Sequence, residues 1–176
     1  MSERVDPKYV WNYVHGEGTL ARVAGDRLRT TRFLTGHMTY WDIDAVPEPR
    51  RVITFLRKPK DRILSLYYFW RAMRDEFLAT LGMEALSIAK TRRLLEFLRS
   101  PERFVRYQID NALVRPFVYT DYPLAPDVAK LPPQEFATLA MERLRSTYHF
   151  VGFHETFADD FEAVQRSIGR YPRAMH

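Results

Sequence analysis

The segment "FLRKPKDRILSLYYFWR", residues 55 to 71, places a guanidinium, a proline and a hydroxyl at spacings that suit an anion. An apolar run ends on Arg57, Pro59 opens a helix-like pattern, and Ser65 lies in the second turn of that pattern. The start of a helix offers N–H groups without intrahelical acceptors and the positive end of the aligned peptide dipoles. Arg57 adds a charge-assisted fork, each hydrogen bond worth roughly 1.5–3 kcal/mol. At a rise of ~1.5 Å per residue, Ser65 stands about 9 Å along the axis from Pro59, where its hydroxyl can meet a phosphate lying beside the first two turns. The plainer alternative makes Arg57 a surface ion-pair residue and Ser65 an ordinary helix-surface serine. A second position with chemistry is His37, which follows Gly36 at the end of a strand-like run. A neutral imidazole with a pKa near 6.5 accepts a proton at neutral pH. The alternative is a histidine that caps a strand turn. His15, His149, His154 and His176 have no comparable context, and His149 reads as structural.

These side chains need elements to hold them. Asp6-Pro7 predicts an N-cap and first turn, hence a short helix to about Val14. A weaker helical stretch follows near residues 20–23. "RTTRFLTGH" predicts a strand ending at Gly36, and "WDIDAVPEPR" a turn or short helix closed by prolines. "RVITFLR" is short and almost wholly apolar, as a parallel strand covered on both faces would be. From Pro59 onward, Ile63, Leu66, Trp70, Met73 and Phe77 repeat at spacings of three and four, predicting one amphipathic helix. Further helices are predicted over 89–99, from Ser100-Pro101 through Arg115, and from Pro132-Pro133 through Arg145, with a loop at 119–131. "YHFVGF" predicts a third strand, and "TFADDFEAVQRSIG" a last helix whose Asp159-Asp160 pair faces solvent. Strands separated by helices predict a three-layer α/β sandwich with a short parallel sheet. Ligands in such sheets sit beyond the carboxyl ends of strands, where Gly36-His37 and Arg57 both fall.

Composition narrows the chemistry. At 176 residues the chain is expected to form one domain, 1–176. There are no cysteines, which removes disulfides, thiolate metal sites and a cysteine nucleophile. The net charge of +5 comes mainly from arginine, whose planar fork suits phosphate and sulfate. It fits either a generally basic soluble surface or an anionic ligand. No basic run interleaved with aromatics points to nucleic acid. No apolar run approaches the ~18 residues of a membrane span. The polar N-terminus and the lack of cysteine predict a cytoplasmic protein.

The segment around Arg57 resembles the 3′-phosphate-binding strand and helix of the PAPS-dependent carbohydrate sulfotransferases, which reads (F/V)-x-R-(D/N)-P-x-x-R-x-x-S-x-Y. Arg57, Pro59, Arg62, Ser65 and Tyr67 fall in register, with Lys58 where the family has Asp. "LTGHMTYWDI" resembles the Gly-His stretch of the heparan sulfate 2-O-sulfotransferase-like branch. "YQIDNALVRPF" resembles a third family stretch, with Asn111 and Arg115 in register, and "VGFHETF" a fourth. The resemblance spans roughly residues 30–169.

It implies a P-loop-like sulfotransferase fold. The implied donor is PAPS (3′-phosphoadenosine 5′-phosphosulfate), with PAP as product and no metal. Arg57 and Ser65 would hold the 3′-phosphate, and His37 would be the catalytic base. A carbohydrate hydroxyl is the implied acceptor, with Arg71, Asn111 and Arg115 as weaker substrate-binding candidates and Glu155 structural. The family's N-terminal lysine-bearing loop for the 5′-phosphosulfate has no counterpart: Pro7-Lys8 runs into Tyr-Val-Trp, and "HGEGTL" has no lysine. Two expectations stay open, a piece of a longer enzyme or a reduced relative that keeps nucleotide or polyanion binding without transfer.

Overall fold

The computed structural model describes residues 10–13, 20, 25–80, 87–118 and 132–167. The chain, read from sequence as one domain, divides into two compact units: residues 1–55 with 114–176, and residues 56–113.

The first unit opens with strand β1 (Val10–Tyr13), helix α1 (Arg27–Thr30), strand β2 (Phe33–Gly36) and helix α2 (Tyr40–Asp44). β1 and β2 pair in parallel, from Val10 opposite Phe33 to Tyr13 opposite Gly36. This corrects the helix predicted to reach Val14. The run "VWNY" is β-branched and aromatic at three of its four positions, and a partner strand satisfies its backbone better than an isolated helical turn. Asp6 and Pro7 lie outside the described residues, as do residues 21–23 of the weak helical stretch and the loop at 119–131. Gly36 closes β2 at φ +149°, backbone that side-chain-bearing residues rarely adopt, and so redirects the chain into His37.

Helix α2 starts on a capping box. Thr39 Oγ1 accepts from Asp42 N, while the Asp42 carboxylate accepts from Thr39 N at 2.9 Å and Thr39 Oγ1 at 2.8 Å. The same buried carboxylate accepts from Leu20 N at 2.9 Å. A buried charge is thus satisfied by three donors, as burial demands. Leu20, fully buried, gathers Leu28, Leu34, Met38 and Val46 around it.

Strand β3 (Ile53–Leu56) ends at the boundary of the second unit and pairs with the later strand β4 (Phe150–Phe153). Among the described residues the strands therefore form two two-stranded sheets, one of them parallel. With the surrounding helices this is a mixed α/β chain.

The second unit is helical: α3 (Pro59–Ala72), α4 (Asp75–Thr80), α5 (Ile88–Thr91), α6 (Leu94–Leu98) and α7 (Arg103–Ile109). Tyr67, Trp70, Leu78, Ala89, Phe97 and Val105 are buried together. Phe97 is the hub, its ring 5.2 Å from that of Tyr67 and 5.8 Å from that of Trp70. The predicted stripe holds for Leu66, Trp70 and Met73 and fails at Phe77. The chain turns at Met73, so the helical period restarts in α4, where Leu78 is buried and Phe77 exposed. The helix predicted over 89–99 is two helices broken at Arg92-Arg93, with Arg93 extended and its N–H donating to Glu96. The helix predicted to run to Arg115 stops at Ile109, and Asn111 takes the left-handed conformation at φ +50°.

The chain then returns to the first unit through α8 (Arg115–Val118), α9 (Pro133–Thr147), β4, a 3₁₀ turn (His154–Thr156) and α10 (Phe157–Ser167). Pro116 does not stop a helix; it occupies the first turn of α8, where a missing N–H costs nothing. In α9, Arg143 donates to the terminal carbonyls of α8, Phe117 O at 2.7 Å and Val118 O at 2.9 Å. Its guanidinium also lies 4.3 Å from the centre of the Tyr40 ring.

Candidate functional site

The second unit opens with the anion-binding candidate. Leu56 ends β3, Arg57 and Lys58 are irregular, and Pro59 takes the first helical position, for which its fixed φ is suited. The first intrahelical bond runs from Arg62 N to Lys58 O at 2.9 Å. The N-cap residue, Lys58, makes no side-chain capping bond, because an ammonium has no acceptor to offer. A residue such as Asp at this position would normally cap those first amides itself. With lysine there, the early N–H groups have no side-chain cap and three cationic residues, Arg57, Lys58 and Lys60, surround them in sequence. Asp61 in the first turn is the opposing charge.

Arg57 itself is half-buried, and its Nε is fully shielded without a hydrogen-bond partner among the described residues. A buried donor left unsatisfied costs about 1–3 kcal/mol, and because Nε is shielded, it is the outer nitrogens of this half-buried guanidinium that an anion can reach. Ser65, in the second turn, is exposed. Arg62, also in register with the sulfotransferase pattern, is spent internally: its Nη1 donates to Gln108 O at 2.7 Å and its Nη2 to Gln108 Oε1 at 3.0 Å, tying α3 to α7.

No family model, curated protein or solved structure matches this chain. The assignment of the site therefore rests on its own residues.

His37 belongs to the first unit, immediately after β2, and is exposed. It stands two residues before the Thr39 cap, so the fixed start of α2 and the turn at Gly36 hold its backbone from both sides. Arg71, in the last turn of α3, is engaged through Nη1, which donates to Ala89 O at 2.8 Å and Tyr67 Oη at 2.9 Å. Asn111 is exposed, and its Nδ2 donates to Asp110 at 3.0 Å; its left-handed backbone explains an asparagine there without a ligand. Arg115 is half-buried at the start of α8, in the first unit. Thus Arg57 and Ser65 share one strand-to-helix segment, while His37 and Arg115 lie in the other unit.

His149, read as structural, accepts at Nδ1 from Val52 N at 3.3 Å, while its backbone N–H donates to Val52 O at 2.9 Å. Asp160 is not simply a solvated helix residue. It accepts from Phe153 N and from Thr156 Oγ1, both at 2.7 Å, joining β4 to α10; Asp159 is exposed. The backbone donor Phe153, then the Thr156 hydroxyl, hold the Asp160 carboxyl below its ordinary range. The residues that spacing missed are Arg92 and Arg93. They meet Arg71 across a cleft through a helix break, and a helical period carries no signal for that.

Proposed function

We propose that the chain is a PAPS-dependent sulfotransferase-type domain, with a P-loop-like α/β fold, acting on a hydroxyl group of a carbohydrate. The observation that carries the reading is the start of α3, which has no side-chain cap and directly follows the half-buried Arg57. That arrangement fits the 3′-phosphate of PAPS or PAP. Arg57 supplies charge, the first amides of α3 supply donors and Ser65 supplies a hydroxyl from the second turn. When bound, PAPS brings an activated sulfuryl group. His37 is assigned the proton of the acceptor hydroxyl, a role open to an exposed imidazole. Arg71, Asn111 and Arg115 are secondary acceptor-binding candidates.

A second reading is binding of PAP or a polyanion without transfer. It is favoured by the net +5 charge of residues 56–113, which attracts an anion whether or not transfer follows.

Calorimetry with PAP tests both readings. The parent binds, and Arg57→Ala and Ser65→Ala each weaken binding, Arg57→Ala by about ten-fold or more. His37→Ala leaves PAP affinity unchanged and, under the first reading, abolishes sulfuryl transfer. A parent that binds PAP no better than either variant overturns the site. A parent that binds PAP yet transfers nothing leaves the second reading standing and the first rejected.

A further inference from the structure

The second unit has another basic recess, at the far end of α3. It is a cleft of about 430 Å³, within the size range of small-molecule sites, lined among others by Tyr67, Tyr68, Arg71, Lys90, Arg92 and Arg93. We propose that this cleft binds a small organic polyanion, a ring carrying two or more sulfate or phosphate groups. The inference does not depend on the nucleotide reading of Arg57.

The cleft is built rather than incidental. Tyr67, buried, donates its hydroxyl to Arg92 O at 2.8 Å. Arg71 Nη1 donates to that same tyrosine oxygen and to Ala89 O, and its guanidinium sits 5.4 Å from the Tyr67 ring centre. These bonds pin the break between α5 and α6 onto α3, and the break carries Arg92 and Arg93. The helix break has a cost, since it interrupts the backbone ladder, and it sets two adjacent exposed guanidinium groups at the cleft.

The charge balance is one-sided. Lys90 is paired with Asp75. The side chains of Arg92 and Arg93 form no ion pair or hydrogen bond of that kind among the described residues, and Arg71 uses Nη1 alone for its internal bonds. Three guanidinium groups around one recess repel each other, and an anion with several charged oxygens relieves that repulsion while filling their forks. Tyr68 supplies the flat surface: the residue is 62% exposed on the helix that forms one wall. A bare phosphate would leave that face uncovered, whereas a sugar or other ring can lie on it.

The test is calorimetry on the full chain at low and moderate salt. The probes are a disulfated disaccharide, inorganic tripolyphosphate and the unsulfated disaccharide. The parent is expected to bind at least one of the two polyanions and not the neutral sugar. The double variant R92A/R93A should lose about ten-fold or more in affinity with its melting temperature unchanged, since both side chains are exposed. Tyr68→Ala should weaken the disaccharide and spare tripolyphosphate. Tighter binding of the disaccharide identifies a sulfated sugar ring as the ligand class, and tighter tripolyphosphate binding means that the cleft reads charge alone and overturns the ring assignment. R29A/R145A, which removes two exposed arginines outside residues 56–113, should leave both affinities unchanged, which separates this cleft from the overall charge of the protein. The proposal is overturned if neither polyanion binds the parent, if R92A/R93A binds like the parent, or if R29A/R145A weakens binding as much as R92A/R93A.

Discussion

A β-carbon built at Gly152 would stand 2.6 Å from Cε1 and 2.7 Å from Cδ1 of Phe55. That ring has little room to retreat. It is held between Phe150, 6.2 Å away centre to centre, and Phe157, 5.0 Å away. Gly152 is thus the residue that lets β4 lie close to β3, and its side-chain hydrogen is the largest group the strand can present there. Replacing it with alanine forces the Phe55 ring, or the strand itself, to move. Gly152→Ala is expected to destabilise the protein by about 1–3 kcal/mol, the ordinary cost of overpacking. The check is urea unfolding, with a lower midpoint and an unchanged slope. An unchanged midpoint would mean that Phe55 swings aside freely. At the same scale, Arg57 is the opposite case. Its Nε is shielded from solvent with no partner among the described residues, where Gly152 is an apolar site with nothing to spare.

Elements are joined by a few side chains that serve as clamps. Arg51 Nη1 donates to Ser167 O at 2.8 Å and so satisfies a carbonyl at the end of α10. Asp160 works at the other end of that helix, accepting from β4 and from the 3₁₀ turn. Its pKa is held down by those bonds, which fixes the sign of the pH effect. The contribution is present above the unfolded value, near 3.9 for an aspartate, and is lost as pH falls through the lower folded value. The difference in melting temperature between the parent and Asp160→Ala should therefore be constant from pH 5 to 7 and shrink below about pH 4. A difference that stays constant down to pH 2.5 would rule out an ionised clamp. This clamp was invisible in the sequence, where Asp159-Asp160 reads as a polar pair on a helix. The strands ending at Gly36, before Arg57 and at Phe153, and the long helices after Pro59 and Pro133, were legible because periodicity and proline are local signals. β1 was not, since its strand state depends on pairing with Phe33–Gly36, far along the chain. The break at Arg92-Arg93 was not either, since Tyr67 and Arg71 on another helix hold it. The Arg57–Ser65 segment was legible as a strand-to-helix turn, whereas the unpartnered Nε needed coordinates.

Across the whole molecule, charge is divided as sharply as the fold. Residues 56–113 contain 12 Lys and Arg against 7 Asp and Glu, a net +5 that equals that of the entire chain, so the other unit is neutral on balance. A generally basic surface would spread the excess over both units. Confining it to the helical one concentrates the attraction for anions where the Arg57 segment and the Arg71–Arg93 cleft both lie. Position should then matter more than total charge. The variants R92A/R93A and R29A/R145A each remove two exposed arginines, the first pair from the basic unit and the second from the neutral one. On a heparin column developed with a salt gradient, R92A/R93A is expected to elute at clearly lower salt than the parent. R29A/R145A should elute close to the parent, although both variants have the same net charge. Equal shifts would mean that sulfated chains respond to the overall charge of the protein, and the concentration of arginine in the helical unit would then have no bearing on what it binds. A shift confined to R92A/R93A ties polyanion capture to the groups that Tyr67 and Arg71 hold in place, because screening by salt weakens a diffuse field and a local cluster to different extents.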